Sequence, residues 1–142
     1  GTPMAIPNWK LHHIIETSGA VVVAEEACTG TRFFENLVDE SQTTIDGQVK
    51  ALAERYMKNN CACFTPNEGR IEDILRYVKE YNVDGVIDVN LKFCTLYDIE
   101  GRDVEAALKK EGIPVLGLET DYTDTDAEQL RTRIGAFLEM ID

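Results

Sequence analysis

Four cysteines, Cys28, Cys61, Cys63 and Cys94, are the residues of this 142-residue chain best suited to do chemistry. Cys94 closes the run Asp88-Val-Asn-Leu-Lys-Phe-Cys94, just past a stretch that reads as a buried strand, and the other three also fall at or beside strand ends. In an open α/β sheet, ligands bind at the carboxyl ends of the strands. The spacing therefore gathers the thiols on one rim, and the chemistry to look for is a thiolate-held metal centre, iron–sulfur first. Residues i and i+2 of a strand point to one side, so Cys61 and Cys63 can face one object. There is no paired Cys-x-x-Cys, so this is not a zinc-finger pattern. The competing reading is packing, since free cysteine is among the most buried residue types.

The same rim carries charge. Glu25 and Glu26 end the first apolar run, and Glu119 and Asp121 end the last. The acids could orient a substrate or a proton, or simply be solvated. Arg32 and Lys92 are the basic residues near the rim. They could meet a thioester or phosphate, or form a salt bridge to Glu25 or Glu26. His12 and His13 are adjacent on a helix, cannot share a face, and are assigned no chemistry.

The elements that must position these residues follow from periodicity. Helices are expected over 8–18, 29–39, 46–59, from 66 through Val78, over 100–111 and from about 126 to the end. The stripes Phe33, Phe34, Leu37, Val38 and Val49, Leu52, Ala53, Tyr56 are read as core. Gly19 suits a helix stop. Thr65-Pro66-Asn67-Glu68 and Thr125 with Glu128 read as capping boxes. Strands are expected over 20–25, 61–64, 84–89 and 113–118. Alternating strands and helices imply a parallel sheet with right-handed crossovers and helices on both faces. Four strands are visible. In a doubly wound order 2-1-3-4-5 the first, central strand is missing. The expectation is one α/β domain over 1–142, the carboxyl-terminal portion of a longer two-domain subunit.

Composition excludes some functions. Hydrophobic residues make up 44%, enough for a core. With 26 acidic against 14 basic side chains the formal charge is −12, which repels nucleic-acid phosphates and anionic lipid. Ala20-Val-Val-Val-Ala24 is too short to span a bilayer. Four cysteines without an export signal favour a reducing, cytoplasmic setting.

The chain resembles the 2-hydroxyacyl-CoA dehydratase family, which includes benzoyl-CoA reductase subunits and double-cubane cluster proteins. The matching stretches are Glu25-Glu-Ala-Cys-Thr-Gly-Thr-Arg32, Cys61-Ala-Cys-Phe-Thr-Pro-Asn-Glu-Gly-Arg70, Asp84-Gly-Val-Ile87 with Lys92-Phe-Cys94, and Gly112-Ile-Pro-Val-Leu116 with Glu119-Thr-Asp-Tyr122. Gln129-Leu-Arg-Thr-Arg133 through Ala136-Phe-Leu-Glu-Met-Ile141 also matches. The resemblance implies flavodoxin-like halves and a cluster, [4Fe-4S] or double-cubane [8Fe-9S], held by three cysteines. Two come from the amino-terminal half and one, matching Cys94, from the carboxyl-terminal half. Cys28 and Cys63 are secondary ligand candidates, and the isolated chain is expected to be inactive and to hold no complete cluster. The implied partners are a second dehydratase subunit or homodimer mate, an ATP-dependent activator iron–sulfur protein and an acyl-CoA substrate. The implied reaction is radical elimination of water from a 2-hydroxyacyl-CoA after one-electron activation. The alternatives are a double-cubane reductase of small molecules and a non-catalytic flavodoxin-like interaction domain.

Overall fold

The computed structural model describes residues 8–141. In chain order the elements are α1 (Lys10–Thr17), α2 (Thr31–Phe34), α3 (Ile45–Met57), α4 (Glu68–Glu80), β1 (Val86–Leu91), α5 (Thr95–Lys110), β2 (Val115–Thr120) and α6 (Ala127–Ile141). β1 and β2 pair in parallel, Val86 opposite Val115 through Leu91 opposite Thr120. The sixteen-residue helix α5 makes the crossover between them. Among the described residues no helix is long and apolar enough to cross a membrane.

Alternation along the strands sorts the core into two layers, as the period of a strand demands. Ile87, Val89, Leu116 and Leu118 pack with Leu11 and Ile14 of α1 and with Leu130 and Ile134 of α6. Val86 and Val115 turn the other way, onto Ile74 of α4 and Val104 and Leu108 of α5. Helices thus cover both faces of a parallel pair, the α/β, flavodoxin-like arrangement. The stripe expected on the last helix is the one that packs: Leu130, Ile134 and Phe137 are buried. Gly19 lies just past α1 at φ +102°, a conformation that costs glycine little, and its N–H caps the carbonyl of Glu16.

Several expectations are corrected. Residues 20–26 are extended but carry no ladder, and 61–64 is a turn closed by Phe64 N–H on the Cys61 carbonyl at 2.9 Å. A strand exists only where a neighbour supplies hydrogen bonds, so two of the four expected strands are not strands among the described residues. The paired strands also begin and end two residues later than expected. The helix expected over 29–39 is the single turn α2. Phe33, Phe34 and Leu37 are exposed, and so are Val49, Leu52 and Tyr56 of α3, where only Ala51 is buried. Their apolar faces have no covering element among the described residues.

Neither expected capping box forms. The Asn67 side chain turns away to donate to Glu100 Oε1 at 2.5 Å, and α4 begins at Glu68 with no side-chain cap. Thr125 Oγ1 instead meets Thr123 Oγ1 at 2.8 Å. α5 starts at Thr95 rather than near 100, because Cys94 already accepts the N–H of Asp98 at 3.1 Å.

The α1–β2–α6 layer carries much of the packing. Ile134→Ala, at a fully buried position, is expected to lower stability by about 2–5 kcal/mol in urea titration.

Candidate functional site

Because β1 and β2 are parallel, Leu91 and Thr120 end on the same rim. From β1 the chain turns through Lys92 and Phe93 into Cys94, the N-cap of α5. The turn is tight: Phe93 adopts φ +66°, and Cys94 N–H returns to the Leu91 carbonyl at 3.0 Å. Phe93 is 97% exposed, while Cys94 is partly buried. The unpaired N–H groups of the first turn of α5 face the sulfur's side of the helix, an environment that favours anionic sulfur.

Tyr97, one turn into α5, is the hub of a buried polar network beside Cys94. Its hydroxyl receives Arg32 Nη1 at 3.1 Å and lies 3.5 Å from Cys61 Sγ. Arg32 Nη1 also approaches Cys28 Sγ at 3.9 Å. The Arg70 guanidinium lies over the Tyr97 ring, 4.6 Å from its centroid. Arg70 binds Glu26 at 3.0 Å and Glu100 at 2.6 Å. The second carboxylate oxygen of Glu26 pairs with Arg32. One carboxylate therefore joins two buried guanidiniums, and five parts of the chain meet there: the 20–26 segment, α2, the Cys61 turn, α4 and α5. The local turn permits this only with glycine at 30, since a Cβ there would stand 2.2 Å from the Glu25 carbonyl oxygen.

Burial alone would push the Cys61 thiol up, but the Tyr97 hydroxyl, contacts with Cys63 and the Arg32 charge outweigh it. The result lies below the ordinary thiol value. Cys63 moves the other way, raised first by its hydrogen bond with Cys61. Burial, then the Cys61 contact, raises Tyr97.

A second cluster sits at the ends of β1 and β2. Lys92 Nζ pairs with Asp121 at 2.7 Å and approaches Asp126 at 3.8 Å. Asp126 also holds Lys10 at 2.5 Å and the Thr120 hydroxyl at 2.8 Å. Burial would raise Asp126, yet Lys10 and Thr120 leave its carboxyl below the usual range. Glu25 stands apart from both clusters, 3.7 Å from His12 Nε2.

Of the residues singled out from sequence, the fold brings Cys28, Cys61, Glu26 and Arg32 together around Tyr97, with Cys94 three residues before it. Lys92 belongs to the neighbouring ion-pair cluster, and Cys63 touches Cys61 only. Tyr97, Arg70, Lys10 and Asp126 were not singled out. Tyr97 and Arg70 lie on helix faces that carry no local pattern of chemistry, and only the packing of α4 on α5 reveals them. Among the described residues no three His, Cys, Asp or Glu side chains stand as a metal-binding group. The donor set of this chain therefore does not fit an iron–sulfur cluster by itself.

A family model described as "2-hydroxyglutaryl-CoA dehydratase, D-component" matches residues 1–141. The chain belongs to this family. It is similar to YjiM, a candidate dehydratase subunit of Escherichia coli strain K12, at 37% identity over 99% of the chain and 36% of that protein. It is also similar to the (R)-phenyllactyl-CoA dehydratase beta subunit of Clostridium sporogenes, at 29% identity over 90% of the chain and 33% of the relative. The (R)-2-hydroxyglutaryl-CoA dehydratase subunit beta of Acidaminococcus fermentans is 28% identical over 68% of the chain and 27% of its own length. The chain thus spans about a third of the curated relatives it matches.

Two outcomes test the site. Tyr97→Phe removes the hydroxyl that holds Cys61, and the pH midpoint of Cys61 alkylation by iodoacetamide, followed by mass spectrometry, should rise. For Asp126, a depressed folded pKa stabilises the fold above the unfolded value near 3.8, and that contribution is lost as pH falls through the folded value. The stability gap between the wild type and Asp126→Asn should therefore be full at pH 7 and close below about pH 4 in urea titrations.

Proposed function

We propose that this chain is the carboxyl-terminal domain of a 2-hydroxyacyl-CoA dehydratase-type subunit, and that Cys94 supplies one thiolate to an iron–sulfur cluster completed by the rest of the subunit. The observation that carries the reading is the position of Cys94. In a chain of this family, it caps the N-terminus of α5 on the carboxyl rim of a parallel sheet. The absence of a complete donor set among the described residues agrees with a cluster shared with other parts of the subunit. When bound, such a cluster supplies one-electron chemistry, delivered by an activator protein, for eliminating water from a 2-hydroxyacyl-CoA thioester.

The chain's own residues have simpler tasks. Cys94 offers sulfur. Arg32, buried and paired with Glu26, positions Tyr97 and the Cys28 and Cys61 thiols beside it. Lys92 is half-exposed and held by Asp121, within reach of an anionic group arriving at the rim. Glu25 and Glu26 act through their partners, His12 and the two arginines. The exposed apolar side chains Phe33, Phe34, Leu37, Val49, Leu52 and Tyr56 support a further interface, with the remainder of the subunit or with a partner subunit.

The test is anaerobic purification of the complete subunit with iron and sulfide analysis. The wild type should carry iron and acid-labile sulfide in cluster stoichiometry, and with activator and partner present it should dehydrate a 2-hydroxyacyl-CoA. Cys94→Ala should lose or alter the cluster absorption and lower turnover at least tenfold, by the order of magnitude expected when a metal ligand or its support is removed. An unchanged cluster spectrum in Cys94→Ala would refute the ligand assignment.

A further inference from the structure

β1 is hydrogen-bonded on one edge only. Val86 N–H reaches the Pro114 carbonyl at 2.9 Å and Lys92 N–H the Thr120 carbonyl at 2.8 Å. By the alternation of a parallel ladder, the even-numbered N–H groups of β1 face β2, and those of Ile87, Val89 and Leu91 face away. Among the described residues, no backbone hydrogen bond meets these three. Facing them is the extended segment 20–26, whose residues 21–24 likewise make no backbone hydrogen bond among the described residues. A cleft of about 780 Å³ separates the two.

The walls of the cleft are specific. Leu11, Ile15 and Leu138 line the side of α1 and α6, and Ile74, Val78 and Val104 line the side of α4 and α5. The cleft therefore continues the plane of the sheet, with an apolar helix layer above and below and a row of backbone polar groups on each edge. A small apolar ligand would leave those N–H and C=O groups without partners, at a cost of about 1–3 kcal/mol for each one buried. A polypeptide strand satisfies both edges at once. Contact with apolar layers on both faces requires aliphatic side chains at successive positions, the pattern of a central parallel strand.

We propose that this cleft is a strand seat, filled by an aliphatic β-strand of about five residues, roughly 17 Å long, running parallel to β1. The strand comes from the same subunit, outside these 142 residues. The relatives supply the length for it, since the matched region is only 36% of one and 33% of another. With the seat filled, residues 20–25 gain the neighbour they lack and become a strand, and the order becomes that of a doubly wound sheet. The proposal rests on the fold and the cleft, and it stands or falls apart from any cluster.

Amide hydrogen exchange, resolved by residue, tests it on the 142-residue chain and on the complete subunit. In the chain alone, Asp88 and Asn90 should be protected, while Ile87, Val89 and Leu91 exchange as open-edge amides. In the complete subunit the latter three should slow by about 100-fold or more, along with amides of 21–24. Equal exchange of Ile87, Val89 and Leu91 in both forms overturns the proposal. So does protection in the chain alone that grows with concentration as a dimer forms in analytical ultracentrifugation, which assigns the edge to a second copy. Protection that appears only when a partner subunit is added assigns the seat to that subunit and also overturns it.

Discussion

The rim of this domain depends on one carboxylate. Glu26 is shared by Arg32 and Arg70, both almost fully buried. A guanidinium cannot shed its charge, so each needs an anion in place. Removing Glu26 would leave two uncompensated charges, and breaking such buried pairs costs about 3–5 kcal/mol. Glu100 and Asn67 extend the arrangement into α4 and α5, and the Arg70 guanidinium stacks on Tyr97. The network therefore locks together segments that are far apart in the chain, and it fixes where Tyr97 directs its hydroxyl.

Cys94 profits from this without taking part in it. Its backbone is set by the β1–α5 turn, and its helix is pinned one turn later by Tyr97. On the opposite side the Asp126 cluster ties the ends of β1 and β2 to α1 and α6 through Lys10, Lys92 and Thr120. Two polar clusters thus brace a rim whose middle, Phe93 and Cys94, is left open to approach. A rigid support with an exposed functional tip is the division of labour expected when ligands bind outside the carboxyl ends of strands.

The apolar half of the structure is uneven. The α1–β2–α6 and α4–α5 layers are packed, and their stripes were legible from periodicity, as Leu130, Ile134 and Phe137 show. The stripes on α2 and α3 had equally regular spacing, yet they lie exposed. Periodicity reports that a face is meant to be buried. It does not say what buries it. The same holds for 20–25, a valine run with strand composition but no ladder, because a ladder is a property of two segments and not of one. The capping boxes failed for a related reason: Asn67 and Thr125 found better partners in Glu100 and Thr123 than in their own helices.

The sequence by itself determined the class of fold, the two paired strands to within two residues, the face of the last helix and the family. These rest on local composition and period, which each segment carries alone. Cys94 at the end of a strand was legible in the same way. Only the tertiary structure decided that Arg70 and Tyr97 join Arg32, Glu26 and Cys61, and that Lys92 is bound by Asp121. It also decided that the sheet stops at two strands beside an aliphatic cleft. Charge pairing and strand pairing are relations between distant residues, and they are set by packing in three dimensions rather than by spacing along the chain.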